Sequence, residues 1–367
     1  MMNKKNIVVF LVLFLVFISP LDILAVSDTA SSTVVMDMDS KRVLYEKNKD
    51  ERRLIASITK IMTAVVAIEN KNLDDVVTVG EEVLPMYGSN IYVEVGEKMT
   101  LRDLLYGLLL RSGNDAAVAI ANYVGGSEEN FVRMMNDKAL SLGMKNTVFR
   151  NSHGLDEDTQ NYSTAYDMAL LSSYANTLME YCEISSSKKW NVSTEVKSYI
   201  WNNRNKLLSL YEFATGGKTG YTPKAGRTLV TTASKNSLNL TIVTLNDNNM
   251  YETHESLYEY IFSKYKNILL VDNNNFGVDD FFYEDEIYVN NSFSYPLTEK
   301  EEKLVKTVID IYKIDNYKDN DKVGEVSVIL NGEKLYKDNI YVSISLENND
   351  GSLFNKIINF FKGLFGL

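Results

Sequence analysis

Apolar residues alternate with polar ones in some stretches of this chain and recur every three or four positions in others, and the two periods divide it into elements. Residues 33–38, a polar turn at Asp39-Ser40-Lys41, and residues 42–46 predict a β-hairpin. Ile61, Val65 and Ile68 share one side of a helix that opens at Ser57 and ends near Asn70. Residues 76–79 and 91–93 are short strand candidates, and Thr100 is the expected N-cap of a helix through Leu110. Further helices are predicted over 115–123, 128–142 and 163–174, the second with Phe131, Met134, Met135 and Leu142 toward the core. Residues 190–201 read as strand, 228–233 and 238–245 as a second hairpin, and 251–265 as a closing amphipathic helix. Taken alone, these periods predict a mixed α/β character.

The pattern changes at Asp272-Asn273-Asn274-Asn275, a polar linker. Beyond it, residues 324–330 and 333–336 flank Asn331-Gly332, a favoured hairpin turn, and 340–346 alternates again. Residues 299–312 interrupt this β-rich stretch with helix-favouring side chains.

Both ends carry a distinct pattern. Lys4 and Lys5 lead into an apolar run over residues 7–18, and Ala25 offers a small residue for cleavage, so 1–25 reads as a secretory signal peptide. The run is shorter than the roughly 20 residues a spanning helix needs. Leu353, Phe354, Ile357, Ile358, Phe360, Phe361, Leu364 and Phe365 fall on one helical face, with Lys356 and Lys362 opposite. At 1.5 Å per residue that helix reaches about 26 Å, so 351–367 is expected to lie in a membrane interface rather than cross it. A helix docked on the protein's own core is the alternative. The expected organisation is a signal peptide (1–25), a catalytic domain (28–271), a small β-rich domain (276–348) and an amphipathic anchor (351–367).

Composition narrows the function classes. At 367 residues and 45% hydrophobic, the chain can bury a large core, and its length favours two domains. The net charge of −11, about −12 without residues 1–25, argues against nucleic acid as a partner. Cys182 is the only cysteine, so no internal disulfide forms. His153 and His254 are too few and too far apart for a recognisable metal site, and no cofactor motif is present.

The candidate chemistry begins at Ala56-Ser57-Ile58-Thr59-Lys60. Residues i and i+3 share a helix face, so the Lys60 amine can reach the Ser57 hydroxyl. A serine is a weak nucleophile until a base takes its proton, and a lysine serves as that base if burial or nearby cations lower its pKa. Ser112-Gly113-Asn114 and Lys218-Thr219-Gly220 follow in that order. Ser-x-x-Lys, Ser-x-Asn and Lys-Thr-Gly form the ordered set of penicillin-binding proteins and class A β-lactamases.

The likeness extends to Asn151-Ser152-His153-Gly154-Leu155-Asp156 and to residues 163–169. From about Val34 to Asn246, and more weakly beyond, the chain resembles the low-molecular-mass penicillin-binding proteins, the serine D-alanyl-D-alanine carboxypeptidases. That resemblance implies an α+β transpeptidase-like domain, with a central antiparallel sheet and a helical cluster, followed by a small β-rich domain. It implies a peptidoglycan stem peptide as substrate, β-lactams as covalent inhibitors, no metal or other cofactor, and a place on the outer face of the cytoplasmic membrane; it implies no oligomeric state. Ser57 would be the nucleophile and Lys60 its base, while Ser112 passes a proton to the leaving amine and Asn114 holds Lys60 and the peptide. Lys218, Thr219 and Arg204 would face the substrate carboxylate. Ser57 and Tyr221 would supply oxyanion N–H groups, and Gly220 would let the substrate backbone approach. In this setting His153 is expected to be a loop histidine. A D,D-endopeptidase would use the same residues, a β-lactamase would need a further carboxylate not found between Asn114 and Lys218, and a non-catalytic wall-binding module would not need the motifs intact.

Overall fold

The computed structural model describes residues 26–278, 282–283 and 286–344, so the signal-peptide and anchor-helix expectations for 1–25 and 351–367 lie outside the described residues. Two compact units divide the chain: residues 1–234 with 239–263, and residues 235–238 with 264–367.

The first unit is built on a five-stranded sheet. Its strands are β1 (Ser32–Asp37), β2 (Val43–Lys47), β3 (Ala214–Thr222), β4 (Gly226–Lys235) and β5 (Leu238–Leu245), in the order β2-β1-β5-β4-β3. The β1–β2, β1–β5 and β3–β4 pairs are antiparallel. The consecutive strands β1 and β2, and β4 and β5, are neighbours in the sheet, as both predicted hairpins require, and the Lys218 strand, β3, lies at an edge. The longer helices of this unit are α1 (Lys60–Asn70), α2 (Leu101–Tyr106), α3 (Asn114–Gly125), α4 (Glu128–Ser141), α5 (Ala165–Ala175), α6 (Met179–Ser186) and α7 (Met250–Lys264).

Helix α1 is the centre of the packing. Every residue from Lys60 to Ala67 is buried, a pattern that places a helix inside a core rather than on its surface. The Ile61, Met62 and Val65 side chains join one cluster with Leu104 and Leu108 and with Ile120, Phe131 and Met168 from three other helices. Local caps set where the helices begin: the Thr100, Ser127 and Thr164 hydroxyls accept from the N–H groups of Asp103, Asn130 and Asp167. Each such cap stabilises its helix by about 1 kcal/mol.

Three local expectations fail in this unit or need refining. Residues 91–93 form no strand, because their amides bond to the buried Asp115 carboxylate: Ile91 N to Oδ1 at 3.0 Å, Tyr92 N and Val93 N to Oδ2 at 2.6 and 3.4 Å. A strand over 190–201 is instead a hairpin of Lys189–Ser193 and Ser198–Asn202. Ser57 lies in a 3-10 turn, Ala56–Thr59, just ahead of α1.

The second unit holds β6 (Tyr265–Val271), β7 (Glu286–Val289), β8 (Phe293–Thr298), β9 (Lys306–Ile311), β10 (Lys322–Leu330) and β11 (Glu333–Ser343). Strands β6 and β8 pair alone, and the other four form a sheet in the order β7-β11-β10-β9. Asn331-Gly332 turns the β10–β11 hairpin, both residues with positive φ. Residues 299–312 prove helical only over the turn Glu299–Glu302, where Thr298 and Glu301 make a capping box. The β-branched Thr307, Val308 and Ile309 then pair with β10 as an edge strand. Val323, Val326, Val328, Ile340 and Val342 form this unit's core.

Candidate active site

The Ser57 turn is gripped from three directions. Ala56 has φ of 50°, which brings Ser57 round into the turn, and such a conformation in a non-glycine residue stores strain. Gly154, at φ +88°, packs on the Ala56 carbonyl so closely that a Cβ there would overlap it. The Thr228 hydroxyl donates to the Ile55 carbonyl at 3.0 Å, tying the turn to β4. Asn161 Nδ2 donates to the Thr59 hydroxyl at 3.0 Å, which ties its far end to the loop before α5.

Lys60 is fully buried, with its Nζ 3.1 Å from Ser57 Oγ. The same nitrogen donates to Asn114 Oδ1 at 2.7 Å and to the His153 carbonyl. Burial, and then the cation of Lys218, hold the Lys60 pKa well below the usual lysine range, so a neutral amine is accessible. Asn114 is fixed in turn, since its Nδ2 donates to the Tyr87 carbonyl at 2.7 Å.

Ser112 arrives by a different device. Helix α2 runs into a π-helical turn, Gly107–Arg111, and Ser112 follows it in the left-handed region at φ 65°. A π turn that delivers a strained serine to a cleft is a feature of functional rather than purely structural segments. Asp115 completes the corner by holding the 91–93 backbone, while Asn114 N donates to the Ser89 carbonyl at 2.7 Å. The loop over 87–93 is therefore clamped to the start of α3.

Edge strand β3 forms the opposite wall. Lys218 is 1% exposed and its Nζ donates to the Thr219 carbonyl at 2.7 Å. Burial, then the Arg204 charge, bring its pKa down to about 7. A Cβ on Gly220 would sit 2.9 Å from Ser57 N, so only glycine lets β3 lie against the turn. Tyr221 is 60% exposed and lines the cleft beside Thr219 and Gly220.

The cleft has a volume of about 330 Å³ and brings together Ser57, Ser112, Arg204, Thr219, Gly220 and Tyr221. Lys60, Asn114 and Lys218 lie behind its walls. All nine residues singled out from the sequence thus fall at or directly behind one opening. Arg204 donates from Nη1 to Ser89 Oγ at 2.7 Å, which fixes it at the rim.

Sequence reasoning missed the His153 carbonyl, the Asp115 carboxylate, Ser89, and the cleft-lining Lys206, Arg227 and Tyr251. His153 is a loop histidine as expected: burial, then Lys60, push its pKa down to about 3, and its Nδ1 accepts from Leu155 N at 3.0 Å. What reaches Lys60 is its backbone, which no residue type announces. Asp115 had a signal, being next to Asn114 in the quoted motif. Among the described residues no cluster of His, Cys, Asp and Glu could hold a metal ion.

Comparisons with known proteins agree with this geometry. The D-alanyl-D-alanine carboxypeptidase DacF of Bacillus subtilis (strain 168) is 37% identical over 250 residues, 65% of this chain and 63% of that protein. DacC of Escherichia coli (strain K12), of the same description, is 37% identical over 60% of this chain and 57% of its own length. The match thus spans less than two thirds of these relatives. The crystal structure of penicillin binding protein 5 from Haemophilus influenzae superposes with a TM-score of 0.71 at 27% identity, covering 86% of this chain and 97% of that one. A family model described as D-alanyl-D-alanine carboxypeptidase matches residues 23–249. That segment is more than half of the chain and contains the Ser57 turn, the Ser112 corner and the Lys218 strand, so the chain belongs to the D-alanyl-D-alanine carboxypeptidase family.

Proposed function

We propose that the protein is a serine D-alanyl-D-alanine carboxypeptidase that removes the terminal D-alanine of peptidoglycan stem peptides and is acylated by penicillins. One observation carries this reading. A fully buried Lys60 amine, its pKa lowered, stands 3.1 Å from the hydroxyl of Ser57 at the mouth of a cleft. In the reaction Lys60 takes the Ser57 proton, Ser57 Oγ adds to the penultimate D-alanyl carbonyl, and the N–H groups of Ser57 and Tyr221 receive the oxyanion. Ser112 relays a proton to the leaving amine as the C–N bond breaks, and water then releases the acyl group. Lys218, Thr219 and Arg204 hold the substrate carboxylate, and Asn114 holds Lys60 and the peptide.

The test is direct. Ser57→Ala should abolish both D-alanine release from a defined pentapeptide and covalent labelling by a fluorescent penicillin. Labelling at the wild-type level in that variant would move the nucleophile elsewhere. A β-lactamase would need a carboxylate to activate the deacylating water, and no Asp or Glu lines the cleft among the described residues. A long-lived penicillin adduct is therefore expected rather than rapid turnover.

The sequence of residues 1–25 supports export, and that of 351–367 supports peripheral attachment at the outer face of the cytoplasmic membrane. Among the described residues no helix is long and apolar enough to cross a membrane. A chain ended at Asp350 should lose binding to anionic vesicles yet still cleave a soluble pentapeptide. Equal sedimentation of the full and shortened mature proteins with vesicles would refute the anchor.

A further inference from the structure

Strand β9 ends the larger sheet of the second unit, and every residue from Lys306 to Asp310 is exposed. Val308 and Ile309 are each 36% exposed, while Leu304 just before the strand and Tyr312 just after it are 54% and 40% exposed. Natural sheet edges are guarded against pairing by shortness, proline, a bulge or a blocking charge. The opposite edge, β7, is guarded by its length of four residues. β9 has six residues, no proline and an unbroken register with β10. Its centre is the β-branched run Thr307-Val308-Ile309, and its charges, Lys306 and Asp310, cancel. Such an edge is built to pair.

The backbone decides which groups are on offer. Tyr312 N donates to the Val323 carbonyl at 2.8 Å, and an antiparallel ladder alternates from there. Asp310, Val308 and Lys306 therefore turn their N–H and C=O groups toward β10, and Thr307 and Ile309 turn theirs outward. Among the described residues no strand pairs with that outer side.

A second copy of the chain matches these groups. Two identical strands related by a two-fold axis pair antiparallel, and the outward amides must meet outward amides. With Val308 on the axis, Thr307 of each copy meets Ile309 of the other as a hydrogen-bonded pair. Lys306 of each copy then stands opposite Asp310 of the other, which makes two cross-strand ion pairs. Neither side chain forms an ion pair within one chain among the described residues. The same register brings Leu304 of each copy toward Tyr312 of the other. Moving the axis to Thr307 or Ile309 sets Val308 against Lys306 or against Asp310, and both ion pairs are lost.

We infer that β9 is a self-association edge, through which two copies of this chain join the sheets of their second units into one continuous sheet centred on Val308. Burial of Val308, Ile309, Leu304 and Tyr312 drives the contact, and the Lys306–Asp310 pairs fix its register. A pair of six-residue strands is a small interface, so the dimer is reversible rather than obligate. The inference concerns the second unit alone and does not depend on the reaction proposed for the first.

Charge reversal tests partner and register together. Sedimentation velocity of the full mature protein in detergent solution should shift from monomer to dimer as concentration rises. Lys306→Asp and Asp310→Lys each set like charges opposite one another and should weaken association about ten-fold. The two variants are complementary to each other, so their mixture should regain the wild-type dimer; circular dichroism matching the wild type shows that each is folded. Val308→Cys should cross-link into a covalent dimer under mild oxidation, because residues on the axis face each other with Cα atoms about 4.5 Å apart. Ile309→Cys should not cross-link, and the wild type, whose only cysteine is Cys182, is the control. A wild type that stays monomeric at every concentration overturns the inference. So does a dimer that neither charge reversal weakens, or a mixture of the two variants that associates no better than either alone. Cross-linking through Ile309→Cys in place of Val308→Cys would refute the register and the ion pairs with it.

Discussion

Two sets of lysines, one in each unit, follow opposite rules. In the second unit Lys322 and Lys337 stand at the surface, each 2.7 Å from Glu325, and their hydrogen bonds, Lys322 first, bring that carboxyl down to about 2. In the first unit Lys60 and Lys218 are buried and form no ion pair, and Lys218 lies close enough to lower the basicity of Lys60. A paired surface charge costs little and does little, because water already solvates both partners. A buried cation without a counter-ion is costly to keep charged, so it loses its proton readily and becomes a base. The packing that surrounds α1 therefore lowers the proton affinity of Lys60, and the same residue type on a solvated strand would keep its proton.

The largest expected effect breaks the buried pair. Lys60→Arg puts a permanent cation there and removes the proposed base, since a guanidinium does not give up its proton. Acylation by penicillin and release of D-alanine should both fall by at least about 10²-fold. Near-normal acylation in that variant would show that burial of Lys60 serves only structure. In the wild type the acylation rate should rise with pH as Lys60 loses its proton.

Next in size is Asp115→Ala, which leaves the amides of Ile91, Tyr92 and Val93 without their acceptor. Unsatisfied amides cost about 1–3 kcal/mol each when buried, so a stability loss on the order of 2–4 kcal/mol is expected. Acylation should slow about ten-fold, because the freed loop carries the Tyr87 carbonyl and Ser89 hydroxyl that hold Asn114 and Arg204. Unaltered acylation in a destabilised Asp115→Ala would confine the clamp to folding.

A smaller effect concerns the buried histidine between β4, β5 and α7. His254 contacts the Thr231 and Thr244 hydroxyls at 2.7 and 3.0 Å, and burial pushes its pKa down to about 3. Its ordinary value is 6.5, so the unfolded chain binds a proton between 6.5 and 3 that the folded protein refuses. The stability it contributes is complete above pH 6.5 and is lost on acidification, by at most about 1.4 kcal/mol per pH unit. His254→Gln should flatten the fall of melting temperature across that window, and an unchanged slope would assign the acid sensitivity elsewhere. Smallest of all is Glu325→Gln, which should leave D-alanine release untouched and the melting temperature nearly so. A clear loss of activity there would overturn the contrast between the two sets of charges.

Some of this was legible because it is local. The Thr100 cap, the Asn331-Gly332 turn and the alternation in β1, β4 and β5 depend on residues a few positions apart, and each was read correctly. Residues 91–93 were misread because their partner lies in another element: the Asp115 carboxylate takes the amides a strand would have paired. Residues 299–312 were misread because the capping box at Thr298 starts a helix that long-range pairing of β9 with β10 then stops. The β6 strand before the expected linker at Asp272 was not anticipated, since its partner β8 comes more than twenty residues later.

The site divides along the same line. Three short motifs in order, with their residue types and spacing, were enough to nominate the nucleophile, its base and the strand opposite, because a hydroxyl and an amine one helical turn apart are brought together by local geometry alone. Whether that amine is neutral was decided elsewhere. Burial, the nearby charge of Lys218, and a carbonyl lent by His153 set the proton affinity of Lys60. Proton affinity is the sum of solvation and field at one point in space, and those depend on everything packed around that point rather than on its neighbours along the chain.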